Sequence, residues 1–191
     1  LVTLTNVPGS LMEQMPNLKV IVRAGIGVDN IDLDTAKRKH IRVYNLPHYC
    51  QDEVADHTVA LLLCLERKLY QQVQDVKQGA WNPARVYKPI RGLQGACVGF
   101  LGCGGIARRV AVRLHPFGVQ TIGYDPYLPN EIAAQAGIQL MGQNNVIAQA
   151  DYLSLHMPLT EETRQMINAK TISQMKQGAF LINSARAGLV D

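Results

Sequence analysis

Apolar residues recur along this chain in two rhythms that take turns. Short, nearly continuous apolar runs fall at 1–7, 18–22, 43–44, 97–101, 120–124, 152–156 and 180–183 and predict strands. Between them lie stretches of helical spacing: a turn after Pro8-Gly9, then 34–39, 106–114, 132–135 and 169–175. Strand, helix and strand in repetition predict a parallel sheet covered on both faces, a doubly wound α/β architecture. The longest helical pattern, 52–78, holds neither Gly nor Pro and carries Val54, Ala55, Thr58, Leu61, Leu62 and Leu65 on one stripe. A helix of that length can join two domains. Residues 79–95, with Trp81, Pro83, Pro89 and Gly92, read as a surface connection. The expected organisation is a partial small α/β domain over 1–47 and a larger α/β domain over 48–191.

Composition acts mainly by exclusion. With 191 residues, 47% hydrophobic and 18% charged, the chain can bury a substantial core and is neither disordered nor collagen-like. No apolar run approaches the roughly 18 residues of a membrane helix, so a soluble, cytoplasmic protein is expected. The net charge of +4 is spread out, except for Lys37, Arg38, Lys39, His40 and Arg42. No aromatic residue interleaves that cluster as nucleic-acid binding would favour, and a solvated helix end is expected instead. Cys50, Cys64, Cys97 and Cys103 have no C-x-x-C spacing and are expected to be reduced core thiols, with no metal site. The sequence opens on Leu1 without a starter Met or a secretory signal pattern and stops at Asp191, so it reads as a piece of a longer protein.

Candidate chemistry begins at Gly102-Cys103-Gly104-Gly105-Ile106-Ala107, which follows an apolar strand and opens a helix. In that context the pattern predicts a dinucleotide-phosphate turn. Gly102 permits the tight turn, Gly104 lets the backbone approach a pyrophosphate, and Ala107 is small enough for helix to pack on strand. Gly105 and Ile106 begin the helix, whose free N–H groups and positive dipole end favour phosphate. Asp125 ends the next strand, roughly 20 residues beyond the glycines, where a carboxylate accepts hydrogen bonds from an adenosine ribose and repels a 2′-phosphate. It favours NAD over NADP. An Asp before Pro126 is also an ordinary turn initiator.

Four motifs in order carry a family resemblance: residues 23–32 (RAGIGVDNID), the glycine turn, residues 155–160 (LHMPLT) and residues 182–191 (INSARAGLVD). On these the sequence resembles the D-isomer-specific 2-hydroxyacid dehydrogenases over essentially its whole length. Within the family it is similar both to D-3-phosphoglycerate dehydrogenases and to C-terminal-binding-protein corepressors, the latter through residues 124–128 and 174–180. The resemblance implies a Rossmann-type NAD-binding domain with part of a flavodoxin-like substrate domain, and an active site in the cleft between them. It assigns the backbone N–H groups of Ile26 and Gly27 to the substrate carboxylate, and Arg186 to catalysis, as a clamp on the carboxylate and C2 oxygen. His156, Met157 and Pro158 would line the adenosine side of the cofactor site, with Thr163 approaching it and Ala185 and Arg186 also meeting the cofactor.

His156 is therefore not the acid/base, and the resemblance puts the catalytic histidine and its glutamate beyond Asp191. His40, His48, His57 and His115 read as ordinary surface or helix residues. Ala107 and Ala187 depart from the commoner glycines, and the methyl of Ala187 could narrow the nicotinamide site. The implied activity is an NAD-dependent oxidoreductase acting on a small 2-hydroxy or 2-oxo acid, a homodimer through the cofactor domain and its long helix. The alternative is an NAD(H)-sensing corepressor-like scaffold, nuclear rather than cytoplasmic.

Overall fold

A computed structural model describes residues 1–81 and 90–191; the predicted connection through Pro83 and Pro89 lies outside the described residues. The chain divides into two compact units, Leu1–Cys50 and Gln51–Asp191.

In the first unit, helix α1 (Gly9–Glu13), strand β1 (Val20–Val22), helix α2 (Leu33–Arg38) and strand β2 (Arg42–Tyr44) follow in order. The two strands pair in parallel, Ile21 opposite Val43, around a core of Val7, Met12, Ile21, Ile31, Ala36 and Ile41. Helix α2 starts where Asp32 caps it, accepting from the Thr35 N–H at 2.9 Å and the Thr35 hydroxyl at 2.8 Å. These bonds hold the Asp32 carboxyl below its usual range. The strand expected over 1–7 does not form. Val2 and Val7 each make one isolated parallel bridge, to Arg23 and Ile31. Between those points the chain leaves the ladder, and the Thr5 carbonyl accepts from the Asn30 side chain at 2.7 Å.

The second unit begins with helices α3 (Gln51–Glu66) and α4 (Leu69–Lys77). The single helix expected over 52–78 is thus two. Lys68 takes a left-handed conformation, φ 54°, between them, with its ammonium 4.6 Å from the centre of the Phe180 ring. Then come β3 (Cys97–Leu101), α5 (Gly105–Leu114), β4 (Gln120–Tyr124), α6 (Asn130–Gln135), β5 (Gln139–Leu140), α7 (Gln143–Gln149), β6 (Tyr152–Leu155), α8 (Ala169–Ile172) and β7 (Phe180–Asn183), with a 3-10 turn at Ala187–Leu189. Neither β5 nor α7 is evident from the sequence pattern. Strand β6 stops at Leu155 rather than at 156, and α8 stops at Ile172 rather than at 175.

The five strands run parallel in the order β5-β4-β3-β6-β7. Alternate residues of β3 face opposite ways. Val98 and Phe100 meet Ala107, Val110, Ala111 and Leu114 of α5 together with Ala55 and Leu62 of α3. Cys97 and Leu101 join Val146 and Ile147 of α7 on the other face. Helix α7 comes so close that a Cβ on Gly99 would stand 2.8 Å from that of Ala150. The core-thiol expectation holds for Cys97 and Cys103, but Cys64 is exposed and Cys50 half-buried. Cys64 lies off the stripe of Ala55, Thr58, Leu62 and Glu66 that α3 buries. Among the described residues no helix is long and apolar enough to cross a membrane.

Candidate cofactor and active site

Chain order reverses at β3: the strands that follow it lie first on one side, as β4 and β5, then on the other, as β6 and β7. Such a switch point opens a crevice at the carboxyl ends of the strands, where doubly wound sheets bind ligands. The glycine turn sits there. Gly102 has φ 85°, and a Cβ on it would lie 2.8 Å from the carbonyl oxygen of His156, so only glycine lets the chain turn past the end of β6. Its N–H donates to the Tyr124 carbonyl at 2.9 Å. Gly104 differs: it is exposed, and a Cβ there would meet nothing within 4 Å. It is the N-cap of α5, with no side-chain cap, so the first-turn N–H groups of α5 face an open approach. Gly105 and Ile106 follow, half-buried, and Ala107 is fully buried against the sheet. The side chain of Gln51, at the start of α3, fills the space beside Gly105, its Oε1 2.5 Å from where a Cβ would stand. An open cradle at a bare helix N-terminus fits a pyrophosphate.

Asp125 forms the turn that its place before Pro126 suggests and also ties that turn to the glycine loop. One carboxylate oxygen accepts from the N–H groups of Tyr127 at 3.0 Å and Leu128 at 3.2 Å, forming the turn after β4. The other accepts from the Cys103 N–H at 2.9 Å, tying the carboxylate to the glycine turn. Cys103 itself is no nucleophile. Burial, and then the charge of Asp125, pushes its thiol up to about 12.

His156 lies just past β6, its Nε2 2.8 Å from the Ser154 hydroxyl and its ring tilted against Phe100. Desolvation lowers its pKa to about 4, so the imidazole is uncharged at pH 7. Met157 is buried and Pro158 exposed. The Thr163 hydroxyl donates to the Pro158 carbonyl at 2.7 Å and accepts from the Thr160 N–H at 2.8 Å, closing this loop on itself. Beyond β7 the side chain of Asn183 brackets the next turn, donating to the Arg186 carbonyl at 2.8 Å and accepting from the Ala185 N–H at 3.1 Å. Arg186 is half-buried, with Nη1 donating to the Ala185 carbonyl at 3.0 Å.

The carboxyl ends of β3, β4, β6 and β7 thereby bring Gly102, Gly104, Gly105, Ile106, Asp125, His156, Met157, Pro158, Ala185 and Arg186 to one edge of one sheet. Ile26 and Gly27 belong to the other unit, half-buried in the turn after β1. There Gly25 accepts from the Leu46 N–H at 3.0 Å and Ile26 accepts from the Asn45 side chain at 2.7 Å. Two polar residues of α3 carry more than the sequence pattern disclosed. Thr58 is buried with its hydroxyl 2.8 Å from that of Ser184, and the buried Glu66 accepts from the Tyr152 hydroxyl. A Thr and a Glu at helical spacing among leucines were the available signals.

The fold and this edge define a dinucleotide-binding domain of the doubly wound class. The family model described as "D-isomer specific 2-hydroxyacid dehydrogenase, NAD binding domain" matches residues 59–191, and the chain belongs to that family. It is 41% identical over 188 residues to a D-3-phosphoglycerate dehydrogenase of Methanocaldococcus jannaschii, covering 98% of this chain and 36% of that protein. It is 37% identical to a hydroxypyruvate reductase of Thermotoga maritima, covering 98% of this chain and 60% of that one. Among solved structures, a D-lactate dehydrogenase from Aquifex aeolicus complexed with NAD and lactic acid superposes with TM-score 0.91 at 36% identity, covering 97% of this chain and 55% of that one. The chain thus spans about a third of the length of the D-3-phosphoglycerate dehydrogenases it matches.

Proposed function

We propose that these residues form the cofactor-binding part of an NAD-dependent oxidoreductase acting on a D-2-hydroxy acid or the matching 2-oxo acid, with residues 1–47 contributing part of its substrate domain and 48–191 its NAD-binding domain. The observation that carries this is the placing of Arg186 on the same sheet edge as the open glycine turn and Asp125. A bare nucleotide-binding domain has no need of that arginine. When bound, the nicotinamide supplies or accepts the hydride at C2.

The chain's own residues supply binding and charge. Gly104 and the α5 N-terminus receive the pyrophosphate, and Asp125 accepts from the ribose hydroxyls and favours NAD. His156, Met157 and Pro158, with the loop that Thr163 closes, line the adenosine side. The guanidinium of Arg186 binds the substrate carboxylate and the C2 oxygen and stabilises the charge that develops there. The N–H groups of Ile26 and Gly27 are assigned to the carboxylate. His156 is assigned to the cofactor site, and the proton at the C2 oxygen is assigned to another group.

The relatives are named for phosphoglycerate, hydroxypyruvate and lactate, so the substrate class is set by the carboxylate and C2 oxygen, not by one side chain. A cytoplasmic location and a homodimer belong to the same proposal. Helix α4 buries none of its residues and exposes Leu69, Tyr70, Val73 and Val76, a face a second copy would cover. No observation supports the corepressor-like scaffold.

The test is NADH oxidation by the full-length protein with a panel of 2-oxo acids, repeated with Arg186→Ala. Turnover that falls by orders of magnitude while NADH affinity is kept supports the proposal. Tight NADH binding without turnover on any acid overturns it.

A further inference from the structure

Arg186 can clamp a substrate only if the turn that carries it is held in place, and a group far away in sequence holds that turn. Thr58, in the middle of α3, is 1% exposed. Its hydroxyl donates to the Val54 carbonyl at 2.8 Å, a bond back along its own helix. That uses its single proton, so the oxygen is left as an acceptor. The Ser184 hydroxyl, 2.8 Å away, is therefore the donor. Ser184 follows the last residue of β7 and precedes Ala185 and Arg186. Its proton is committed to Thr58 and is not offered to a ligand. The residue before it, Asn183, fixes both the Ala185 N–H and the Arg186 carbonyl. The turn is thus anchored twice, from within by Asn183 and from α3 by Thr58.

We infer that Thr58 is a positioning residue, whose hydroxyl receives that of Ser184 and thereby sets the height and direction of the Arg186 turn. The inference rests on the role proposed for Arg186. The α3 end of the link is firm: Ala55 and Leu62, one turn to either side of Thr58, are buried in the same core as Ala107 and Ala111 of α5 and Ile182 of β7. The link touches neither the glycine turn nor Asp125, so its loss acts on the Ala185–Arg186 turn and leaves the pyrophosphate and ribose ends of the cofactor site in place. Displacing a clamp by a fraction of an ångström lowers the rate of the chemical step more than it weakens binding.

The experiment uses the full-length protein with Thr58→Val, which keeps the shape and deletes the acceptor, Ser184→Ala, which deletes the donor, both together, and Thr58→Ser, which restores the hydroxyl. Expected are a kcat for 2-oxo acid reduction about tenfold lower in each of the first two, and NADH affinity within about twofold of the parent. The double variant is no worse than the worse single one, because both delete the same bond, and Thr58→Ser recovers most of the rate. Amide hydrogen exchange over residues 183–189 rises about tenfold in Thr58→Val and is read without any substrate. A lower melting temperature with kcat and exchange unchanged overturns the inference by showing a merely structural bond. If the parent reduces no 2-oxo acid, the proposed activity fails, and the exchange measurement alone decides the positioning. Should Thr58→Val fail to fold, Ser184→Ala carries the same readouts from a half-buried site.

Discussion

Gly102 and Gly104 are glycines for opposite reasons, and substitutions tell them apart. Gly102 stands at φ 85° with the His156 carbonyl where its Cβ would go. Gly102→Ala is expected to cost at least about 2 kcal/mol of stability, from strained backbone and a contact that cannot relax. Gly104 has room and extended backbone at a helix N-cap, where Asp is a favoured residue. Gly104→Asp is expected to leave stability within about 0.5 kcal/mol while repelling phosphate and weakening NADH binding at least tenfold, to about the level of nonspecific binding. Thermal melts and NADH fluorescence titrations of the two variants check this: equal effects on both quantities would contradict it. His156 gives a further expectation, with its sign set by its depressed pKa. The unfolded chain takes up a proton near pH 6.5 and the folded one near 4. Between those values the unfolded state binds more protons, so stability falls as pH falls, at up to about 1.4 kcal/mol per pH unit. His156→Gln removes that slope, and denaturant midpoints at pH 6.5 and 4.5 for parent and variant measure it. Gly102 was legible because its backbone conformation demands glycine, and Asp125 because an Asp before Pro126 initiates a turn. The neutrality of His156 was not, since it comes from Phe100 and the surrounding core.

Strands β3, β4 and β7 fall where the apolar runs place them; β3, buried at every position, is apolar throughout, while β4 starts on an exposed Gln120 and the edge strand β7 is mostly half-buried. Elements that depart from the pattern do so for physical reasons. Strand β5 is two residues long at the sheet edge, with Gln139 exposed, and α7 buries only Val146 and Ile147 on a polar background, too little periodicity to read. The break at Lys68 has no Gly or Pro to announce it; its side chain lies over Phe180, a partner far along the chain. Glu66 was hidden in the same way, a buried acid on a stripe of apolar residues whose partner, Tyr152, begins β6. Burial, and then Glu66, raises the Tyr152 phenol well above its usual range, so it stays a neutral donor. One oxygen of Glu66 already has no partner among the described residues. Tyr152→Phe strips the other and is expected to cost about 1–3 kcal/mol. Adding Glu66→Leu should return much of that loss, since an apolar pair leaves no polar group stranded. Denaturant melts of the single and double variants decide; a double variant less stable than Tyr152→Phe would show that the pair contributes more than mutual satisfaction.

At the scale of the molecule, the strand order β5-β4-β3-β6-β7 turns scattered motifs into one edge. The order itself cannot be read from any single motif. The same scale exposes what the fold leaves unsatisfied. Among the described residues helix α4 buries no side chain of its own, yet Leu69, Val73 and Val76 recur at helical spacing on its surface, Val73 at 48% and Val76 at 56% exposure. A short amphipathic helix gains little from propensity alone; an apolar stripe left exposed among the described residues calls for a covering surface, and in the proposed homodimer a second copy provides it. Val73→Glu with Val76→Glu places two like charges within that stripe, and the full-length protein should then sediment at half the mass of the parent. NADH binding should survive in the monomer, because the glycine turn and Asp125 lie at the carboxyl edge of the sheet, away from α4 in the chain and in the core. A parent that already sediments as a monomer, or a variant that stays dimeric, would mean that α4 is covered by something other than a second copy.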